Sequence, residues 1–77
     1  MARVLLFGPL RDLAGWRERE FVGVSDLNAL LNQLDPDLAK AVTGPGVQIA
    51  VDKTIIRGTA FLSPGSEVAF LPPMSGG

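Results

Sequence analysis

The chain has 77 residues, 47% of them hydrophobic and 19% charged, with a formal net charge of −1 and neither Cys nor His. That length supports one small core, and the composition excludes both a disordered chain and a membrane span, while the near-neutral balance, with its few basic residues scattered, argues against nucleic acid. Without Cys or His the chain has no disulfide, no thiolate metal ligand and no ready general base, so no metal site and no self-contained catalysis are expected.

Residues 1–7 lack the long apolar core and cleavage site of a signal peptide, which points to a cytoplasmic protein. Residues 3–7 form a short β-favouring run that is apolar on both faces, suited to a central strand covered on one side and open to a partner on the other. Gly8 and Pro9 break it. Residues 10–14 then make one helical turn, with Pro9 near its start, Gly15 at its end, and Arg11 and Asp12 facing water. Residues 17–22 read as a polar edge strand anchored by Trp16 and Phe21.

Ser25 is a suitable N-cap, and Leu27, Leu30, Leu31 and Leu34 follow at i, i+3, i+4 and i+7, the core-facing stripe of an amphipathic helix. Asp35 caps a second helix with Pro36 at its first position, running through Leu38, Ala39 and Val42 until Gly44-Pro45-Gly46 stops it. Residues 47–51 alternate Val, Gln, Ile, Ala, Val as a half-buried strand, and Asp52-Lys53 is a hairpin turn returning residues 54–56 antiparallel. Arg57-Gly58 interrupts that strand, and residues 59–62 are a short extension or an irregular segment. Ser63-Pro64-Gly65-Ser66 has the composition of a turn, and residues 67–71 are the last strand.

Two strands, a crossover helix and three strands predict an α+β fold with helix on one face of a mixed sheet of about five strands, carrying one main helix and short extra helical turns. In so small a chain this order predicts a β-grasp roll whose first and last strands lie side by side at the sheet centre. Residues 1–71 would form that domain, and residues 72–77 a tail ending in Gly-Gly.

The tail carries the chemistry. Gly76 and Gly77 have no side chains to obstruct a narrow channel, and a terminal carboxylate, ionised at neutral pH, can attack the α-phosphate of ATP as an oxygen nucleophile. The alternative is that the glycines merely fray, as chain ends do. Pro72-Pro73 favours an extended exit from the sheet, and six residues extended reach about 20 Å, far enough to enter a partner's active site. Leu71, Pro72, Pro73 and Met74 add apolar surface at the tail's root, with Leu71 open to either a core or an interface role.

The ending Phe70-Leu71-Pro72-Pro73-Met74-Ser75-Gly76-Gly77 resembles that of the MoaD family, the small subunits of molybdopterin synthase. Phe7-Gly8-Pro9-Leu10-Arg11-Asp12-Leu13-Ala14-Gly15 is similar to the family's aromatic-x-x-x-Arg-acidic-Leu-x-Gly segment, and Ile49-Ala50-Val51-Asp52 with Pro64-Gly65-Ser66-Glu67-Val68-Ala69-Phe70 to its strand and turn pattern. Asp52 stands where that family usually has Asn, and Ser66 where it usually has Asp. Both positions lie at turns.

The resemblance implies a β-grasp, ubiquitin-like sulfur carrier that is not an enzyme by itself and binds no cofactor. An adenylating enzyme of the MoeB type, consuming ATP, would activate Gly77, and sulfur transfer would convert the acyl-adenylate to a thiocarboxylate. The large subunit, MoaE, in a heterotetrameric synthase, would supply the pocket where the tail gives sulfur to cyclic pyranopterin monophosphate. Gly77 is then the reactive residue and Gly76 its steric access. Met74 and Ser75 line the threaded tail, and Phe7, Arg11, Phe70, Leu71, Pro72 and Pro73 are docking candidates, with core packing the alternative for Phe7 and Phe70. Competing functions are a thiamine-type ThiS carrier, against which the Pro72-Pro73-Met74-Ser75 spacer argues, a ubiquitin-like protein modifier, and a binding module with an inert tail.

Overall fold

The computed structural model describes residues 1–73. Among these, five strands, β1 (Ala2–Leu6), β2 (Glu18–Phe21), β3 (Gln48–Val51), β4 (Thr54–Ile56) and β5 (Glu67–Leu71), form one sheet in the order β2-β1-β5-β3-β4. The helices are α1 (Pro9–Ala14), α2 (Leu27–Gln33) and α3 (Pro36–Val42). β1 and β5 run parallel at the centre, with Val4 opposite Val68 and Leu6 opposite Phe70, and the other pairings are antiparallel. This is the β-grasp arrangement anticipated from the element order.

Strand alternation sorts the side chains between two faces. Val4, Leu6, Val68 and Phe70 point to the helical side and are completely buried with Leu27, Leu30, Leu34, Leu38 and Val42. The leucine stripe therefore closes the core. The cover is not one main helix, however: α2, which carries that stripe up to its C-cap Leu34, and α3 have seven residues each and share it, because Pro36 cannot continue α2 and Asp35 starts a new helix, its side chain accepting from the Asp37 N–H at 3.3 Å.

Several boundaries differ from expectation, among them the start of β3 at Gln48 and not Val47. The cap of α2 is Asp26, not Ser25: the Asp26 carboxylate accepts from the Ala29 N–H at 2.7 Å. Losing it in Asp26→Ala should cost about 1 kcal/mol in urea unfolding, whereas Ser25→Ala should stay within about 0.5 kcal/mol. β1 ends at Leu6, leaving Phe7 beyond the strand, and β2 is trimmed to four residues. Residues 59–62 are irregular apart from one bridge joining Phe61 to Asp26.

The edge strand β2 is held by its aromatic anchors. The Trp16 and Phe21 rings lie 6.0 Å apart, and the Arg19 guanidinium sits over both, 5.9 and 5.2 Å from their centroids. At the opposite edge, Asp52 and Lys53 both adopt positive φ, 49° and 70°, as a two-residue hairpin turn requires. The Asp52 carboxylate accepts from the Glu67 N–H at 2.9 Å, and the Asp52 N–H donates to the Glu67 carbonyl at 2.8 Å, so this turn is also tied to the start of β5. Ser66 is buried, and its hydroxyl accepts from the Ser63 N–H at 2.8 Å. An acceptor oxygen is what each turn needs, and Asp52 and Ser66 each supply one.

Candidate functional site

The parallel centre of the sheet delivers two chain ends to the same place. β1 runs out into Phe7 and Gly8 at the end where β5 runs out into Pro72 and Pro73. β3 enters from that end, and its Gln48 pairs with Leu71. Continuing both registers by one or two residues sets Gly8 beside Pro72 and Gly46 beside Pro73. The structure agrees: a Cβ added to Gly8 would lie 3.5 Å from Pro72 Cγ, and one added to Gly46 would lie 2.9 Å from Pro73 Cβ. Neither proline has an N–H to donate, so the ladder between β1 and β3 stops at Leu71 and the chain is released from the sheet.

Four of the docking candidates gather at this exit. Phe7 is 41% exposed. Leu71 and Pro72 are half-buried, and Pro73 is exposed. Phe70 does not join them: its side chain is fully buried among Leu6 and the helix leucines, so of its two readings, docking and core packing, the second holds and the first is corrected. The reason is alternation, since residue 70 faces the helices while residues 69 and 71 face away. Arg11 is exposed on α1, off the sheet, with its Nε 3.8 Å from the Asp12 carboxylate. Met74, Ser75, Gly76 and Gly77 lie outside the described residues.

The face of the sheet turned away from the helices is a surface that periodicity alone did not single out. Its central row runs across all five strands as Glu18, Leu5, Ala69, Ala50 and Ile55, and Leu71 with Gln48 lies one row nearer the exit. Helices α2 and α3 pack on the opposite face, so no described helix covers this one. The centre is small and apolar, Ile55 at its margin is 48% exposed, and the β2 margin is charged, with Arg3 bonded to Glu18 at 3.4 Å. An apolar centre with a polar rim is the usual anatomy of a docking surface, and this one is continuous with Leu71 at the root of the tail. The signal that could have found it was the register: Leu5, Ala50 and Ala69 become one patch only when the three strands are aligned.

Among the described residues there is no group of acidic side chains placed to hold a metal ion, and no buried side-chain polar atom lacks a partner. No described helix is long and apolar enough to cross a membrane. What the geometry offers is a covered core and an open apolar face, with Pro72 and Pro73 leaving the sheet beside it.

Comparison with known proteins gives a family and a fold. The model of the ThiS family matches residues 4–77. Among solved structures, the crystal structure of SAMP1 from Haloferax volcanii superposes with a TM-score of 0.74 at 25% sequence identity, covering 99% of this chain and 98% of that one. No curated protein sequence matches the chain.

Proposed function

The chain belongs to the ThiS family of ubiquitin-like sulfur carriers, and from that premise we propose that it is the sulfur-carrier subunit of a molybdopterin synthase. In this role Gly77 carries the sulfur and the globule presents it. The carboxylate oxygen of Gly77 attacks the α-phosphorus of ATP in the active site of an adenylating enzyme of the MoeB type, and pyrophosphate leaves. Hydrosulfide from a sulfur source then attacks the acyl carbon, AMP leaves and the S–H proton is lost to water, which gives a thiocarboxylate. The large subunit, MoaE, takes the tail into its own pocket, where the sulfur passes to cyclic pyranopterin monophosphate. The setting is cytoplasmic and the assembly a heterotetramer.

The observation that carries this reading within the family is the segment Phe70-Leu71-Pro72-Pro73-Met74-Ser75-Gly76-Gly77, of which Pro72 and Pro73 leave the sheet beside an open apolar face. This chain contributes position and not acid–base chemistry: with neither Cys nor His, it has no internal thiol to intercept a Gly77 adenylate and no imidazole to move protons. Residues 72–77 act as the tail, and Gly76 keeps its last step free of side chains.

The test is reconstitution with the adenylating enzyme, a sulfur source and MoaE, followed by assay for molybdopterin. Product formed in the full mixture, and absent without this chain, supports the reading. Sulfur loaded onto Gly77 but transferred only into a thiazole would place the chain among the thiamine-type carriers. An isopeptide adduct on unrelated proteins would make it a modifier, and no ATP–pyrophosphate exchange would make the tail inert.

Docking through the open face gives a further expectation. Ala69 lies at the centre of that face and is half-buried, and a lysine there can lay its stem along the sheet with its ammonium in water. Ala69→Lys should therefore remain folded yet bind MoaE about tenfold or more weakly, a loss of about 1.4 kcal/mol or more, measurable by titration calorimetry.

A further inference from the structure

The exit of the tail is shaped by two glycines that the carrier reading does not by itself require. Gly8 has φ 54° and ψ −130°, and Gly46 has φ 83°. L-residues with side chains rarely adopt either conformation. Each glycine also meets a different proline of the tail's root. The gap at Gly8 is an ordinary contact, 3.5 Å from a built Cβ to Pro72 Cγ. At Gly46 a built Cβ would stand 2.9 Å from Pro73 Cβ and 3.3 Å from its Cγ, closer than packed carbons tolerate. The two contacts come from opposite neighbours in the sheet, Gly8 following β1 and Gly46 preceding β3.

We propose that Gly8 and Gly46 form a two-sided seat that receives the Pro72 and Pro73 rings and sets the direction in which the tail leaves the sheet. They are positioning residues: neither touches the reacting carboxyl group, and both act through the prolines. A stiff Pro-Pro step transmits orientation from its root, so an error at residue 73 is carried towards Gly77. With Pro72 and Pro73 held at a fixed angle beside the open face, the residues that follow are aimed into a partner's channel as that face docks. The fit at Gly46 leaves no room for a methyl group, so a larger residue there must push Pro73 aside.

This inference rests on the carrier reading, and one control separates the two. Gly58 has φ 78°, but a Cβ added to it would meet nothing within 4 Å. Gly58→Ala thus imposes comparable backbone strain without touching the tail, and Gly46→Ala imposes strain and contact together. Both full-length variants, with the unmodified chain, are compared for melting temperature and for kcat and KM in adenylation, read as ATP–pyrophosphate exchange with this chain as the varied substrate. Gly58→Ala is expected to melt earlier with kcat and KM retained. Gly46→Ala is expected to lose about tenfold or more in kcat at little-changed KM, because docking survives while the carboxylate is misaligned. Equal kinetics for the two folded variants would overturn the seat. An unmodified chain that supports no exchange would instead overturn the carrier reading.

If Gly46→Ala does not fold, Pro73→Ala probes the same contact from the tail side, where residue 73 is exposed. It should keep the native melting temperature and lower kcat, and an unchanged kcat would count against the seat. In the free unmodified chain, nuclear Overhauser contacts between the Gly46 α-protons and the Pro73 ring are expected, and their absence would remove the seat directly.

Discussion

A chain lacking only Gly77 should fold normally and acquire no sulfur. The truncated chain still ends in a carboxylate, now on Gly76, so the chemistry of the group is unchanged and only its reach is altered. One residue of extended chain is about 3.3–3.6 Å, and displacement of a reacting atom by even about 1 Å commonly costs on the order of a hundredfold in rate. Adenylation, and thiocarboxylate formation after it, should therefore fall below detection. Folding should be untouched, because among the described residues the buried core runs from Ala2 to Phe70. Intact-mass measurement after incubation with the adenylating enzyme, ATP and a sulfur source reads the result. Sulfur found on the truncated chain would show that Gly77 is not the cargo site.

Phe70→Ala is expected to be the most damaging single change to stability, and it decides the role of that residue. Its ring is fully buried at the centre of the sheet, flanked by Leu6 on β1 and Ile49 on β3. Truncating a buried phenylalanine costs about 3–5 kcal/mol through lost transfer energy and the cavity left behind. A domain of this size has about 5–15 kcal/mol in total, so a large share of its margin would go. Phe7→Ala, at a position 41% exposed, should change stability by about 0.5 kcal/mol or less while weakening partner binding. Urea unfolding and binding titration of the two variants should give opposite patterns. A stable Phe70→Ala that failed to bind would return Phe70 to the docking surface.

Much of the architecture was legible because short-range rules were strong here. Leu27, Leu30 and Leu34 at helical spacing, Asp35-Pro36 as a helix restart and Asp52-Lys53 between two β-favouring runs each act within a few residues, and each appears as expected. The errors arose where two local signals competed. Ser25 and Asp26 are both capping residues, and Asp26 prevails in the structure, where its neighbours Ser25 and Leu27 are tied by backbone hydrogen bonds to Leu62 and Ala60. Ile49 and Val51 pack on the core as their period suggested, yet Ala50, on the other face, is the more deeply buried, because neighbouring strands shield a small central side chain.

The candidate site divides in the same way. The sequence by itself determined the Gly76-Gly77 pair, the proline step before it and the absence of Cys and His from these 77 residues, because these are properties of residues and not of their neighbours. It also determined that a strand delivers the chain to Pro72. Only the tertiary structure decided that Phe70 turns inward while Leu71 turns out, and that Leu5, Ala50 and Ala69 make one open face. It alone brought Gly8 and Gly46, 38 positions apart by their numbering, against Pro72 and Pro73. The physical reason is register: which residues of β1, β3 and β5 stand side by side is set by long-range pairing, and a shift of one residue would exchange every face.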